Sequence, residues 1–214
     1  PARHRASSRR RHGWRTWVAV ASLLAMAAFQ NQSTPYAAFP GANGKIAFSS
    51  DRNGFPQVFV MDADGLNQTP VTTDRGYDAR WSPDGTQIAF ASDRSGFDAV
   101  FVIGADGTGE AELTGGPGRA DGSPSWSPDG SQIAFYSTRS SVGEVWVMNA
   151  DGSGPVNLTG GLTGAQPAWS PDGNRIAFST DRDGNTEIYL MNPDGTNAVN
   201  LSSNAAVDAE PNWS

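Results

Sequence analysis

Trp81-Ser82-Pro83-Asp84-Gly85 recurs as Trp126-Ser127-Pro128-Asp129-Gly130 and as Trp169-Ser170-Pro171-Asp172-Gly173, and the sequence reaches a further copy at Trp213-Ser214. The tryptophans are 45, 43 and 44 residues apart. A fixed period of this length is the mark of a repeat architecture in which one unit is a four-stranded propeller blade. Four units fall short of the usual ring of six or seven. An open arc leaves unpaired faces and edges, so further repeats in the parent protein, or assembly with another copy, are expected.

The repeat extends well past its tryptophan. Each Pro-Asp-Gly is followed by Ile88-Ala89-Phe90, Ile133-Ala134-Phe135 or Ile176-Ala177-Phe178, and Ile46-Ala47-Phe48 marks an earlier unit. A turn follows at Asp51-Arg52, Asp93-Arg94, Thr138-Arg139 and Asp181-Arg182, then an alternating apolar run such as Val58-Phe59-Val60-Met61. Asp64-Gly65, Asp106-Gly107, Asp151-Gly152 and Asp194-Gly195 turn the chain again, and units close near Leu113-Thr114, Leu158-Thr159 and Leu201-Ser202. Proline presets φ, aspartate bonds its own backbone and glycine takes positive φ, so Pro-Asp-Gly reads as a tight turn. The β-branched and aromatic runs between turns read as strands. Strand A should end at the tryptophan, strand B hold Ile-Ala-Phe, strand C the aromatic run, and strand D end at Leu-Thr. The fold class is therefore all-β, a β-propeller of four antiparallel repeats, at about 45–80, 81–122, 123–166 and 167–210 with a fifth beginning at 211–214. Trp81, Trp126, Trp169 and Trp213 are read as structural rings packed between blades.

Residues 1–16 hold six arginines and no acid, and Trp17 to Phe29 is apolar apart from Ser22. A basic head followed by a short apolar run is the pattern of a secretory signal peptide. Thirteen residues are too few for a comfortable membrane span. Residues 1–38 are thus expected to be a signal peptide with a short linker, and 39–214 a mature secreted or periplasmic chain with no stable membrane span. Of 15 basic and 22 acidic residues, six arginines lie in 1–38, leaving 9 against 22, a net of −13. That surface repels phosphate backbones, so nucleic acid is not an expected partner.

His4 and His12 lie in the leader, and cysteine is absent. Residues 39–214 consequently lack Ser-His-Asp and Cys-His nucleophiles and histidine-ligated metals. Carboxylates remain, most of them at turns, and no enzymatic activity is expected from this chain. Asp181, Asp183 and Glu187 cluster in seven residues and are the candidate calcium ligands, although turn chemistry alone explains them more cheaply and the full EF-hand pattern is missing. No other cofactor is expected. The Asp-Arg turns read either as structural, bonding the neighbouring blade, or as arginines facing an acidic partner.

The run from Trp169 to Gly195 closely resembles the WD40-like propeller repeat of the TolB family, whose pattern is Trp-Ser-Pro-Asp-Gly, Ile-Ala-Phe, Ser-Asp-Arg, Glu-Ile-Tyr-x-Met and Asp-Gly. The resemblance covers residues 40–214. It implies a periplasmic or secreted propeller that binds proteins or cell-envelope components. Between Ala38 and Ile46 there is no room for the α/β domain that precedes the propeller in the Tol system, so the chain is similar to stand-alone secreted propellers. Similar repeats form the propellers of prolyl-oligopeptidase-like peptidases, which makes the propeller part of a larger hydrolase the alternative. A calcium-stabilised carbohydrate-active propeller is a third reading.

The face carrying the D–A and B–C loops is the expected ligand face, because its loops vary while Pro-Asp-Gly repeats. Arg80, Asp121, Gln166 and Glu210 are the candidate binding residues, placed near the pore entrance in this arrangement.

Overall fold

A computed structural model describes residues 44–214; the expected signal peptide lies outside them. The described chain forms fifteen strands in four antiparallel sheets. The first sheet has three strands, β1 (Ile46–Ser50), β2 (Gln57–Met61) and β3 (Thr69–Pro70). The second has β4 (Tyr77–Trp81), β5 (Gln87–Ser92), β6 (Ala99–Gly104) and β7 (Ala111–Glu112). The third has β8 (Asp121–Trp126), β9 (Gln132–Ser137), β10 (Glu144–Asn149) and β11 (Val156–Asn157). The fourth has β12 (Ala165–Trp169), β13 (Ile176–Thr180), β14 (Glu187–Met191) and β15 (Val199–Asn200). Within each sheet the strands pair in chain order, and each four-stranded sheet begins a few residues before the tryptophan that opens the sequence repeat. No helix among the described residues is long and apolar enough to cross a membrane.

Side chains alternate along a strand, and this alternation joins the blades. Ile88 and Phe90 point back to Val58 and Val60 of the first blade, whereas Ala89 joins Val100 and Val102 against Trp126, Ile133 and Phe135 of the third. One blade further on, Ala134, Val145 and Val147 meet Trp169, Ile176 and Phe178. Hence the Ile-Ala-Phe triplet: two large residues fill the preceding junction and one small residue lets the next blade approach. Phe90, Phe135 and Phe178 are completely buried, each worth roughly 1.5–3 kcal/mol of burial.

Repeated polar contacts fix the geometry. The closing Thr72, Thr114, Thr159 and Ser202 each accept a hydrogen bond from strand C, at the amides of Val58, Val100, Val145 and Ile188. The two-residue outer strands β7, β11 and β15 stop just short of the Leu-Thr or Leu-Ser pair, whose hydroxyl continues the pairing. Between blades, the amides of Gly76, Asp121, Gly164 and Asp208 donate to the carbonyls of Pro56, Asp98, Gly143 and Thr186 at 2.8–2.9 Å. In the Pro-Asp-Gly turns, Ser82, Ser127 and Ser170 donate to Asp84, Asp129 and Asp172 at 2.6 Å, and each serine oxygen accepts the amide five residues on.

Candidate binding site on the inner strands

The first strands of neighbouring blades lie side by side and form the inner wall of the arc. Each carries an irregularity in register, between Tyr77 and Arg80, Gly122 and Ser125, and Ala165 and Ala168. At these bulges Asp78, Ser123 and Gln166 take φ of 53°, 48° and 51°, and Glu210 takes 58° at the matching place in the final segment. Left-handed backbone is unfavourable for a residue with a Cβ, by about 1–2 kcal/mol. Its recurrence three residues before Trp81, Trp126, Trp169 and Trp213 shows that the repeat enforces it. A bulge re-aims side chains, and all four residues line one cavity of about 400 Å³ together with Arg80 and Ser125.

The wall is polar and partly linked. Gln166 Oε1 accepts from Ser179 Oγ at 2.8 Å and from the Glu210 amide at 3.1 Å. Gln166 Nε2 lies 3.4 Å from Glu210 Oε1, and Ser123 Oγ lies 3.5 Å from Asp78 Oδ2. Ser125 Oγ accepts from the Trp169 amide. The Arg80 guanidinium bonds only the adjacent Ala79 carbonyl among the described residues, which leaves most of its donors open. Beside the bulge, Tyr77 donates to Asp98, and burial together with that bond raises its phenol above the usual range.

Of the residues expected to bind, Arg80, Gln166 and Glu210 line this cavity. Asp121 does not. It is fully buried, with its Oδ2 3.1 Å from Arg139 Nη2 and 3.4 Å from Arg119 Nε. Its position in the repeat is that of Gly76 and Gly164, where a Cβ would meet neighbouring side chains at about 3.0 Å. The small Ala99 stands in the second blade where Gln57 and Glu144 open strand C of the first and third. Asp78 and Ser123 are the pore residues that the sequence reading omits. No side-chain chemistry marks them; only position could have found them, since the place three residues before each repeat tryptophan, held by Gln166 and Glu210, selects Asp78 and Ser123 and leaves out Asp121.

The proposed calcium ligands face separate partners. Glu187 is buried and accepts from Ser202 Oγ, Asn185 and the Asn204 amide, which hold its carboxyl below the usual range. Asp183 accepts from Tyr189 and Asn200, and Asp181 from Thr163. Among the described residues no three His, Cys, Asp or Glu side chains gather where they could hold a metal ion.

The turn arginines share one arrangement. Arg52, Arg94, Arg139 and Arg182 each donate from Nε to the serine or threonine two residues earlier. Each guanidinium also covers two rings of its own blade at 4.5–5.4 Å, as Arg94 does over Phe90 and Phe101. Trp81, Trp126 and Trp169 pack into the clusters between blades, whereas Trp213 is exposed. Trp126 Nε1 donates to Arg80 O at 3.3 Å and Trp213 Nε1 to Ala168 O at 3.0 Å, each reaching the residue before the preceding tryptophan.

Four-stranded blades joined face to face, with strand A on the inside, define an incomplete β-propeller. Residues 78–166 match the TolB beta propeller domain family, and the fold of the described residues is a partial β-propeller of the TolB type. Among solved structures it is similar to TolB from Acinetobacter baumannii, with 23% identity, a TM-score of 0.70, and coverage of 80% of this chain and 44% of that one. It is similar to a putative TolB from Agrobacterium tumefaciens at 22% identity and TM-score 0.62, covering 78% and 64%. A puromycin-hydrolyzing peptidase of Mycobacterium tuberculosis matches at 16% and 0.56, covering 73% and 28%. At such identities the likeness is one of fold, and the chain spans less than two thirds of each of these proteins. No curated protein sequence matches it.

Proposed function

We propose that the chain is a non-catalytic binding scaffold of the cell envelope or exterior, taking a protein or envelope ligand at the inner-strand cavity. The observation that carries this reading is the ring of left-handed bulge residues. An invariant backbone device presents a different side chain from each blade, Asp78, Ser123, Gln166 and Glu210, into one space. Strained backbone kept at a cavity is a mark of function, and variable groups on a rigid frame are a means of recognition. The absence of histidine and cysteine from residues 39–214 supports a non-catalytic role, and the basic and apolar leader supports export.

The test is capture of envelope components on the immobilised chain, repeated with Arg80→Ala, Glu210→Ala and, as a control in a Pro-Asp-Gly turn, Asp129→Ala. The cavity variants should lose the captured component and the turn variant should keep it. The reverse pattern would contradict the assignment. A second reading, the propeller portion of a larger hydrolase, draws support from the fold shared with the puromycin-hydrolyzing peptidase. A Gly-x-Ser-x-Gly elbow in sequence beyond Ser214 would favour it.

A further inference from the structure

A second cavity, of about 490 Å³, opens between the third and fourth blades. Blade three contributes Tyr136 and Gly143; blade four contributes Thr163, Gly164, Asp181 and Thr186. Its origin is local to this junction. In the second blade Tyr77 rises from strand A and donates to Asp98, so its polar end is satisfied within the protein. In the third blade Gly122 and Gly143 stand at those two positions, and the ring comes from strand B as Tyr136. A Cβ at Gly143 would collide with that ring, so the ring lies directly on the glycine. Among the described residues the Tyr136 hydroxyl has no protein partner, while Tyr77 and Tyr189 both donate to aspartates.

The chemistry of the lining selects a ligand class. Thr163 and Thr180 are within 3.2 Å of each other, and Thr163 also donates to Asp181 Oδ1, which leaves Oδ2 to accept. Tyr136 and Thr186 add hydroxyls that both donate and accept. No lysine or arginine lines the cavity, and the mature chain is strongly acidic, so phosphates and uronates lack an anchor. An apolar ligand would strand these polar groups without partners. A neutral ring bearing several hydroxyls matches them, with the edge or face of Tyr136 available to its C–H groups. We propose that this junction is a binding site for a neutral saccharide of one or two rings. The site adjoins the inner-strand cavity, with Ser123 and Gln166 on the wall between them, and rests on the scaffold reading only in binding its ligand without cleaving it.

The experiment is residue-resolved NMR titration of the chain with glucose, galactose, N-acetylglucosamine, cellobiose, lactose and chitobiose, with galacturonate and putrescine as charged comparators. A neutral sugar should shift the amides of Gly143, Thr163 and Gly164 saturably. Tyr136→Phe, which removes one hydroxyl, should weaken binding roughly fivefold, and Asp181→Asn should weaken it further, with the melting temperature of each variant near the parent's. Arg80→Ala, at a residue that lines only the inner-strand cavity, should leave sugar binding unchanged, so a failure of the inner-cavity reading would be seen separately. Cleavage of a bound disaccharide would keep the site and contradict the non-catalytic reading. The proposal is overturned if no neutral sugar of the panel shifts these amides, if Tyr136→Phe and Asp181→Asn leave affinity unchanged, or if putrescine or galacturonate binds there in preference.

Discussion

One arginine per blade is clamped between a hydroxyl and two aromatic rings of its own blade, while Trp126 and Trp213 each reach back to the preceding inner strand. The arginines brace single blades, and the tryptophans and the Ile-Ala-Phe side chains join neighbouring ones. Trp126 is 8% exposed and sits among Ala89, Val100 and Ile133. Trp126→Ala is expected to cost about 3–5 kcal/mol, read as a large fall in urea midpoint; a melting temperature within a degree or two of the parent would contradict its structural role. The turn carboxylates give a pH signature. Hydrogen bonds from Ser170 and Asn174 hold Asp172 down at about 2, and the same kind of bonds depress Asp84, while at Asp129 they outweigh an opposing burial penalty. A carboxyl with a depressed folded value stabilises the fold above its unfolded value of about 3.9, and that contribution is lost as pH falls through the folded value. The melting temperature should therefore decline between about pH 4 and pH 2. Asp172→Asn should flatten the decline, and a slope unchanged by the substitution would show that Asp172 does not contribute.

Strand A, on which the proposed recognition rests, is irregular where strands B and C are regular. Ser123 has a left-handed backbone and a weak side-chain contact at 3.5 Å. Ser123→Gly should relieve about 1–2 kcal/mol of strain, offset by about 0.5–1 kcal/mol of added chain entropy. The expected result is a melting temperature equal to or slightly above the parent's, where glycine in a regular strand would lower it. Gly76 faces the opposite constraint, since a Cβ there would lie 3.0 Å from Phe90 and Val58 in the core. Gly76→Ala is expected to destabilise by about 1–3 kcal/mol, measurable by chemical denaturation. Turns and strands were legible because Pro-Asp-Gly and period-two alternation are local signals. The bulge was not, because Asp78, Ser123, Gln166 and Glu210 share a backbone conformation and no side-chain chemistry. Asp121 misled because its chemistry suggested exposure, while its place in the repeat, shared with Gly76 and Gly164, is a core position. Asp181, Asp183 and Glu187 read as one cluster along the chain, yet strand geometry sends them to different partners.

At the scale of the whole described chain, the blades repeat their joints and vary their inner surface. The chain expressed without residues 1–38 should show no turnover of peptides, esters or glycans, with or without added calcium. Turnover that persists through purification and disappears with Asp181→Ala or Asp183→Ala would replace the scaffold by an enzyme. The central claim is that the inner-strand cavity, and not the turn face, is where a ligand sits. Hydrogen-exchange footprinting of the chain with its captured envelope component addresses it directly. Protection should appear at residues 78–80, 123–125, 166–169 and 210–212, with the turns at Asp84, Asp129 and Asp172 unchanged. Protection confined to those turns, with the inner strands exchanging as in the free chain, would contradict the account.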